Sequence, residues 1–157
     1  MYRLSGTVGK VRSMAGSNAT GVEIGRLLAA AHLRAAGRFA GALAPLGIDG
    51  RLFGVLTTLD RLGPSTQARL VIEMRGDKST MMRSVDDLEA MGLVVRQAVP
   101  GDRRARAVAL TDEGRQRLAA ARVTADRVAG ELFAAMPETD RIALRDLLAA
   151  FVRNLPE

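Results

Sequence analysis

The apolar residues of this chain recur at helical spacing and predict a series of amphipathic helices. From about residue 22 they fall on one stripe, which indicates a first helix that ends at or just before Pro45. The stripe consists of Leu27, Leu28, Ala31, Ala35, Phe39, Ala42 and Leu43. A second helix is predicted over 49–62, before Gly63-Pro64 breaks the chain. Its apolar positions are Leu52, Phe53, Val55, Leu56 and Leu59.

Two shorter helices follow this break. Ser65-Thr66 offers hydroxyl groups for the N-cap of a third helix, which is predicted to end near Met74. Arg75-Gly76 forms the next turn, where we expect the glycine to supply the backbone freedom. A fourth helix is predicted over 77–91, followed by Gly92 as its C′ residue. Its buried side is expected to be formed by Met81, Val85 and Leu88.

Two Val-rich segments, 93–99 and 106–110, are joined by Pro100-Gly101-Asp102. That turn chemistry predicts a β-hairpin. Thr111 and the two acids after it indicate the N-cap and first turn of a fifth helix, which is predicted to extend to about residue 136. A last helix is predicted over 137–154. Its broad apolar face is formed by Leu144, Leu147, Leu148, Phe151, Val152 and Leu155.

The start of the fourth helix carries donors that suit DNA. Lys78, Ser79 and Thr80 lie in the first turn, where free backbone amides and the positive end of the helix dipole favour phosphate. Arg83 lies one turn further on, at a distance from which it can reach a guanine edge in the major groove, and Met82 can touch a thymine methyl group. A helix start of this kind, taken alone, is more often only a cap with a solvated face.

The tip of the predicted hairpin carries a second group of donors. Arg104 or Arg103 is expected to enter the minor groove, whose width and negative potential a guanidinium can read. Asp102 is expected to orient an arginine through a charge-assisted pair. On the third helix, we expect the residues that position the DNA backbone to be Thr66, Gln67 and Arg69.

Two helices joined by a three-residue turn and followed by a hairpin make a winged helix-turn-helix. This part of the chain resembles the MarR-type transcriptional regulators, in order and without gaps from about residue 48 to 118. The matching motifs are Gly63-Pro64-Ser65-Thr66-Gln67, Asp77-Lys78-Ser79-Thr80 with Arg83, Met91-Gly92-Leu93-Val94, Asp102-Arg103-Arg104 and Leu110-Thr111-Asp112-Glu113-Gly114. The expected fold is mainly α with a small β-wing.

The chain departs from the pattern of that family at three places. Arg75-Gly76 stands where the family usually has glycine and an apolar residue, so the turn is expected to pack differently. Ser84 replaces a usual Leu, which should weaken the apolar side of the fourth helix. Met82 replaces a usual Thr at a groove-facing position, so the base read there is expected to differ.

Composition agrees with a nucleic-acid partner and excludes several other functions. The 157 residues carry a net charge of +6, which favours a polyanion or an acidic surface as partner. Cys is absent and His32 is the only histidine, so thiol chemistry, a metal site and His-based catalysis are not expected, and neither is a cofactor. Aromatic residues make up 3%, too few for a platform that stacks single-stranded bases. We expect a DNA-binding protein that is not an enzyme.

The chain also lacks the features of a membrane or exported protein. No apolar stretch approaches the length that spans a membrane, and the first residues lack the apolar core of a signal peptide. The terminal helices are rich in Leu and Ala without an aromatic edge, so a partner helix is a better match for them than a lipid surface. The expected compartment is the cytoplasm.

Four segments are predicted along the chain: a flexible basic arm over 1–20, a dimerisation helix over 21–46, a winged lobe over 48–110, and C-terminal helices over 111–157. The first helix and the last two have more apolar surface than one small lobe can cover, which predicts a helical homodimer interface. A two-fold dimer would bind a roughly palindromic operator. We expect a sequence-specific repressor. No motif identifies the operator or the regulated gene, and none distinguishes a repressor from an activator.

The resemblance further implies a small ligand, often aromatic or phenolic, that binds between the dimer helices and the DNA-binding lobe and lowers DNA affinity. His32, Phe39 and Phe53 are candidates to line such a pocket. A lone histidine on an apolar helix face is, however, more often a core or interface residue, and aromatics at helical spacing are usually core.

Two alternatives remain at this point. One is a ligand-independent architectural or accessory DNA-binding protein, for which sequence-independent binding with a steep salt dependence would be expected. The other is a protein-interaction module that keeps the winged fold but no longer binds DNA. The arginines at positions 83, 103 and 104 argue against the second alternative.

Overall fold

The computed structural model describes the backbone of residues 8–99 and 102–155, and the side chains of residues 19–98 and 105–155. The chain divides into two compact units, Met1–Arg38 and Phe39–Glu157, and each is described by itself. None of the described helices is by itself long and apolar enough to cross a membrane. The bent pair Ala19–Leu46 and Gly50–Leu62 passes such a test of length and composition only when its two parts are taken together.

The first unit is formed by helix α1, Val8–Leu43, which continues into the second unit. The predicted loose arm over 1–20 is therefore wrong for residues 8–20, which are helical. The physical reason is that the sequence has no proline before Pro45, and its glycines weaken a helix without blocking it. The predicted apolar stripe of α1 is exposed only in part. Leu27, with 55% of its surface accessible to solvent, and Ala31 are exposed, while the other members are half-buried or, at Leu43, buried.

The end of α1 follows the prediction. Pro45 lies in a short 3-10 turn, Ala44–Leu46, and Gly47 after it adopts a left-handed conformation with φ of 71°. A residue with a Cβ is disfavoured there, which explains the glycine.

The three helices of the winged lobe have the predicted order and nearly the predicted bounds. They are α2 at Gly50–Leu62, α3 at Gln67–Met74 and α4 at Lys78–Ala90. Each is preceded by a side-chain N-cap, in which the cap oxygen accepts a backbone amide of the first turn. The caps are Asp49 for α2, Thr66 for α3 and Asp77 for α4.

The turn between α3 and α4 differs from the expectation in one respect. Arg75, and not Gly76, adopts the left-handed conformation, with φ of 47°. The backbone amide of Gly76 then donates to the carbonyl of Val71 at 3.1 Å and closes the end of α3. The side chain of Arg75 is exposed, and its left-handed conformation brings the Cβ close to the following carbonyl oxygen, which strains the backbone at this position.

The sheet has one strand more than the predicted hairpin. Strands β2, Val94–Val99, and β3, Asp102–Leu110, form the hairpin, and β1, Ser65–Thr66, pairs antiparallel with the other edge of β3. Ser65 pairs with Val108 and Thr66 with Ala107. The extra strand arises because the N-cap conformation of Thr66 is extended and can therefore join a ladder.

The last two helices are α5, Asp112–Leu132, and α6, Glu138–Arg153. Helix α5 ends four residues before the predicted position 136, and Thr111 caps its start as predicted. No residue of α6 is buried, and its predicted apolar face is exposed except at Leu144, which is half-buried.

Among the described residues of the second unit, an apolar core lies between α2, α3, α4, α5 and the sheet. Its buried side chains include the predicted residues of α4 and, apart from the half-buried Phe53, those of α2, together with residues of the hairpin and α5. They are Leu43, Ile48, Leu52, Val55, Leu56, Leu59, Leu70, Met81, Val85, Leu88, Leu93, Val94, Val108, Leu118 and Ala121. The inner side of α4 packs into this core, which holds the helix in place and leaves its opposite face exposed.

Candidate nucleic-acid interface

Helix α4 presents its first turn to solvent. The carboxylate of Asp77 accepts the backbone amide of Thr80 at 2.8 Å, which fixes the helix start. The hydroxyl and the backbone amide of Thr80 both hydrogen-bond to this carboxylate and lower the pKa of Asp77 below its ordinary value of 3.8. Lys78 and Ser79 are exposed beside it. The arrangement uses the donors of Thr80 for the cap and leaves the side chains of Lys78 and Ser79 exposed, where they can meet a phosphate.

The candidate base-reading residues lie on the same exposed face. Met82 and Arg83 are exposed, opposite the buried side formed by Met81 and Val85. A guanidinium nitrogen of Arg83 donates to the hydroxyl of Thr80 over 3.4 Å. This weak contact leaves the remaining donors of Arg83 available for a base edge.

The second half of α4 is acidic, and its acids are paired with arginines from other elements. Arg96 of β2 bonds to Asp86 and Glu89, and Arg51 of α2 bonds to Asp87 at 2.9 Å. The hydrogen bond to Asp86 is the main reason why the pKa of Arg96 is raised. These pairs offset negative charge that would otherwise repel DNA.

Sequence reasoning missed both arginines. Arg51 is 36 residues from Asp87, and Arg96 belongs to a strand that reads as part of the wing. No spacing rule connects residues so far apart. The only signal was the acidic content of a helix expected to face DNA.

The candidate backbone-positioning residues surround the start of α3. Thr66 is the half-buried cap, and Arg69 is exposed. Both line a shallow groove with Gln97 and Ala98 of the hairpin. The side-chain nitrogen Nε2 of Gln67 is buried and has no hydrogen-bond partner among the described residues.

A second groove brings α3 and α4 together. It is open to solvent and joins three of the candidate DNA contacts to apolar side chains of α3. Its lining consists of Gln67, Ala68, Val71, Ile72, Lys78 and Met82. The structure thus places candidates from both helices of the helix-turn-helix along one surface.

The candidate wing residues stand at the start of β3. The backbone of Asp102 pairs with that of Val99 across the hairpin, beside an irregularity in the ladder between Ala98 and Val99. The side chains of Asp102, Arg103 and Arg104 lie outside the described residues. Their contacts with the minor groove stay predictions.

The candidate ligand residues occupy different environments. His32 is exposed on α1 in the first unit, so the alternative of a core histidine does not apply within one chain. Phe39 and Phe53 are half-buried in the second unit, and Phe53 packs against the core. Their assignment to a ligand pocket stays a prediction.

Comparison with known proteins shows that this chain is similar to transcriptional regulators. The model of the MarR family matches residues 46–105. The HTH-type transcriptional regulator YdgJ of Bacillus subtilis is 30% identical over 109 residues, which are 69% of this chain and 66% of that protein. The matched region thus spans slightly less than two thirds of that curated relative's length.

Solved structures agree over more of the chain. A MarR-family regulator from Rhodococcus sp. RHA1 is 32% identical, with 83% of this chain and 93% of that chain covered and a TM-score of 0.76. CouR from Rhodococcus jostii RHA1, bound to p-coumaroyl-CoA, is 32% identical, with 85% and 94% covered and a TM-score of 0.74. The repressor CouR bound to a 23-mer DNA duplex is 32% identical, with 82% and 91% covered and a TM-score of 0.77.

Proposed function

The chain belongs to the MarR family of DNA-binding transcriptional regulators, and on this premise we propose that it is a homodimeric repressor that reads a roughly palindromic operator and is released by a small aromatic ligand. The exposed face of α4 carries this proposal. It combines a capped first turn, an exposed arginine one turn later and acids that are already paired with arginines of other elements.

In this proposal α4 lies in the major groove. Lys78, Ser79 and Thr80 bind phosphate at the helix N-terminus, while Arg83 reads a guanine and Met82 contacts a thymine methyl group. Support comes from the exposure of this face and from the rigid apolar core behind it. Phosphate contacts position the helix, and Arg83 supplies most of the discrimination.

The hairpin is proposed to follow the DNA backbone into the adjacent minor groove. Arg103 and Arg104 would bind there, with Asp102 orienting one of them. Residues at the start of α3 would hold the backbone between the two grooves, namely Thr66, Gln67 and Arg69. The shared groove of α3 and the hairpin supports this arrangement.

The dimer is proposed to form through the terminal helices. Apolar side chains on α6 are strongly exposed in the single chain, with 70% of Leu147 and 46% of Phe151 accessible. Contiguous apolar surface of this kind is typical of an interface. A two-fold dimer would place two α4 helices about 34 Å apart, one turn of DNA.

Release by a ligand is proposed from the relatives. One solved structure of CouR contains p-coumaroyl-CoA and another contains DNA, and both resemble this chain at 32% identity. A ligand acts only if it binds the DNA-free spacing of the two lobes more tightly than the bound spacing. Phe39 and Phe53 are the half-buried aromatics from which a search for its pocket should start.

The test uses a duplex that the wild-type protein itself selects from a randomised pool, compared with a scrambled duplex of the same composition. We expect a preference of about a thousandfold or more for the selected duplex. The measurement is fluorescence anisotropy over a range of KCl concentrations. Equal affinity for both duplexes would identify an architectural DNA-binding protein and overturn the proposal.

Ligand response is tested with the same duplex. Aromatic carboxylates and their coenzyme A thioesters are titrated into the preformed complex, with a saturated acyl thioester as control. Release by an aromatic compound alone is the expected result. If neither aromatic class releases the duplex, the ligand part of the proposal fails while the DNA-binding part stands.

A further inference from the structure

The residue at position 84 joins α4 to α2 by a polar contact inside an otherwise apolar side of the helix. Ser84 is 1% exposed and lies among Met81, Val85 and Leu88. A buried hydroxyl destabilises a fold unless it is hydrogen-bonded. The Ser84 hydroxyl donates to the carbonyl of Thr80 and accepts from a guanidinium nitrogen of Arg51, each at 2.8 Å.

Arg51 makes this contact as one half of a fork. One guanidinium nitrogen donates to Ser84, and the other donates to the carboxylate of Asp87 at 2.9 Å. The third nitrogen lies 3.7 Å from Asp49, the residue that caps α2. Because the guanidinium is planar, its two contacts to residues three apart define one orientation of α4 about its own axis.

The same contacts lead toward the proposed base-reading residue. Ser84 bonds to the carbonyl of Thr80, and the hydroxyl of Thr80 accepts from Arg83. Arg51, Thr80, Arg83 and Asp87 line one open groove beside α4. A change in the rotation of α4 would therefore move Arg83 with respect to the groove of the DNA.

We propose that Arg51 is a positioning residue for DNA recognition, which sets the rotation of α4 through Ser84 and Asp87 and thereby aims Arg83 at its base. This inference rests on the proposed function of α4 as the helix that reads DNA. In this proposal Arg51 does not itself contact a base. Its effect is on discrimination between sequences, because a bidentate base contact tolerates little misplacement.

The experiment compares affinity for the selected duplex with affinity for the scrambled duplex. The variants are Ser84→Ala, Arg51→Gln and Asp87→Asn, the last of which leaves the apolar side of α4 intact. Each should lower the ratio of the two affinities by about tenfold, the effect of one charge-assisted hydrogen bond. The slope of affinity against salt should stay that of wild type.

Two further variants serve as controls. Arg122→Gln removes the same charge from α5, where Arg122 bonds to Asp60 of α2 at 2.8 Å. It should leave the ratio of affinities unchanged. Arg51→Lys should not restore the ratio, because a lysine ammonium cannot hold two partners in the fork geometry.

Three outcomes count against the inference. Equal weakening on both duplexes, with a salt slope reduced by about one, would make Arg51 a phosphate contact. A lower melting temperature with an unchanged ratio would make the fork purely structural. If the wild type shows no preference between the two duplexes, the proposed function fails and this inference fails with it. That result is distinguishable from the other two outcomes, which are seen only in the variants.

Discussion

The Cα of Gly114 faces the carbonyl oxygen of Leu93 so closely that a Cβ at position 114 would lie 2.0 Å from that oxygen. The same carbonyl accepts the backbone amide of Thr111 at 3.1 Å, so it cannot turn away without losing a hydrogen bond. Gly114 therefore lets α5 pack directly against the start of the wing. The motif Leu110–Gly114 therefore ends in glycine because a side chain at position 114 would clash with the backbone of Leu93.

Gly114→Ala should destabilise the fold by about 3 kcal/mol, because the clash is with backbone atoms that cannot move cheaply. Urea denaturation followed by circular dichroism measures the free energy of unfolding. Gly130→Ala is the matched control on the same helix, where no atom lies within 4 Å of the new Cβ. It should raise stability by up to about 1 kcal/mol. Equal effects of the two substitutions would contradict the packing explanation.

Arg83→Ala should reduce the preference for the selected duplex by about 1 to 3 kcal/mol. Lys78→Ala should instead weaken binding to both duplexes equally and lower the salt slope by about one, because Lys78 is proposed to bind phosphate. Anisotropy titrations on both duplexes at several salt concentrations separate the two effects. If Arg83→Ala also weakens both duplexes equally, Arg83 does not read a base.

Arg104→Ala should reduce affinity and remove protection of the minor groove beside each half-site. The reason is that a guanidinium stabilises a narrow, negatively charged groove. Hydroxyl-radical footprinting measures the protection directly. Arg103→Ala is the comparison that tells which of the two arginines enters the groove, and an unchanged footprint in both variants would remove the wing from the interface.

Acid should weaken the N-cap of α4. Hydrogen bonds from Thr80 lower the pKa of Asp77 in the folded protein, so this contribution to stability is complete above the ordinary pKa of 3.8 and is lost as the pH falls through the lower folded value. Asp77→Asn lacks the charge at every pH, so its stability relative to wild type should improve from pH 7 to pH 3. Urea midpoints at both values, with Asp126→Asn as a control for a lost surface carboxylate, provide the measurement. If the difference in stability between Asp77→Asn and wild type is the same at both pH values, the ionised carboxylate of Asp77 does not contribute to the stability of the cap.

Leu147→Glu should shift the protein toward the monomer at micromolar concentration, because a charge would be buried in the proposed interface. Sedimentation equilibrium measures the mass in solution. Ile72→Glu is the control, since Ile72 is 75% exposed but belongs to the winged lobe. A dimer that survives Leu147→Glu unchanged would place the interface away from this face of α6.

Local chemistry accounts for the elements that could be predicted. The helices α2, α3 and α4 follow from caps at Asp49, Thr66 and Asp77 and from apolar periodicity, and both signals lie within a few residues of what they determine. The motif resemblance over about residues 48–118 likewise depended on residues in order along the chain. For this reason the family and the winged helix-turn-helix fold could be predicted from the sequence alone.

The errors have nonlocal or competing causes. Strand β1 exists only because β3 offers it an edge, and the helical start of α1 overrides a glycine-rich composition. At the α3–α4 turn, the arginine adopts the conformation expected of the glycine beside it, because the backbone amide of Gly76 is needed for a bond back to Val71.

By itself, the sequence determined the series of helices, the hairpin and the donors at the start of α4, since periodicity, capping and turn chemistry act over neighbouring residues. Only the tertiary structure decided how α4 is held. It paired the buried hydroxyl of Ser84 with Arg51, 33 residues earlier in the chain, and the acids of α4 with Arg51 and Arg96. Such contacts depend on which surfaces the core brings together, a property that no local pattern carries.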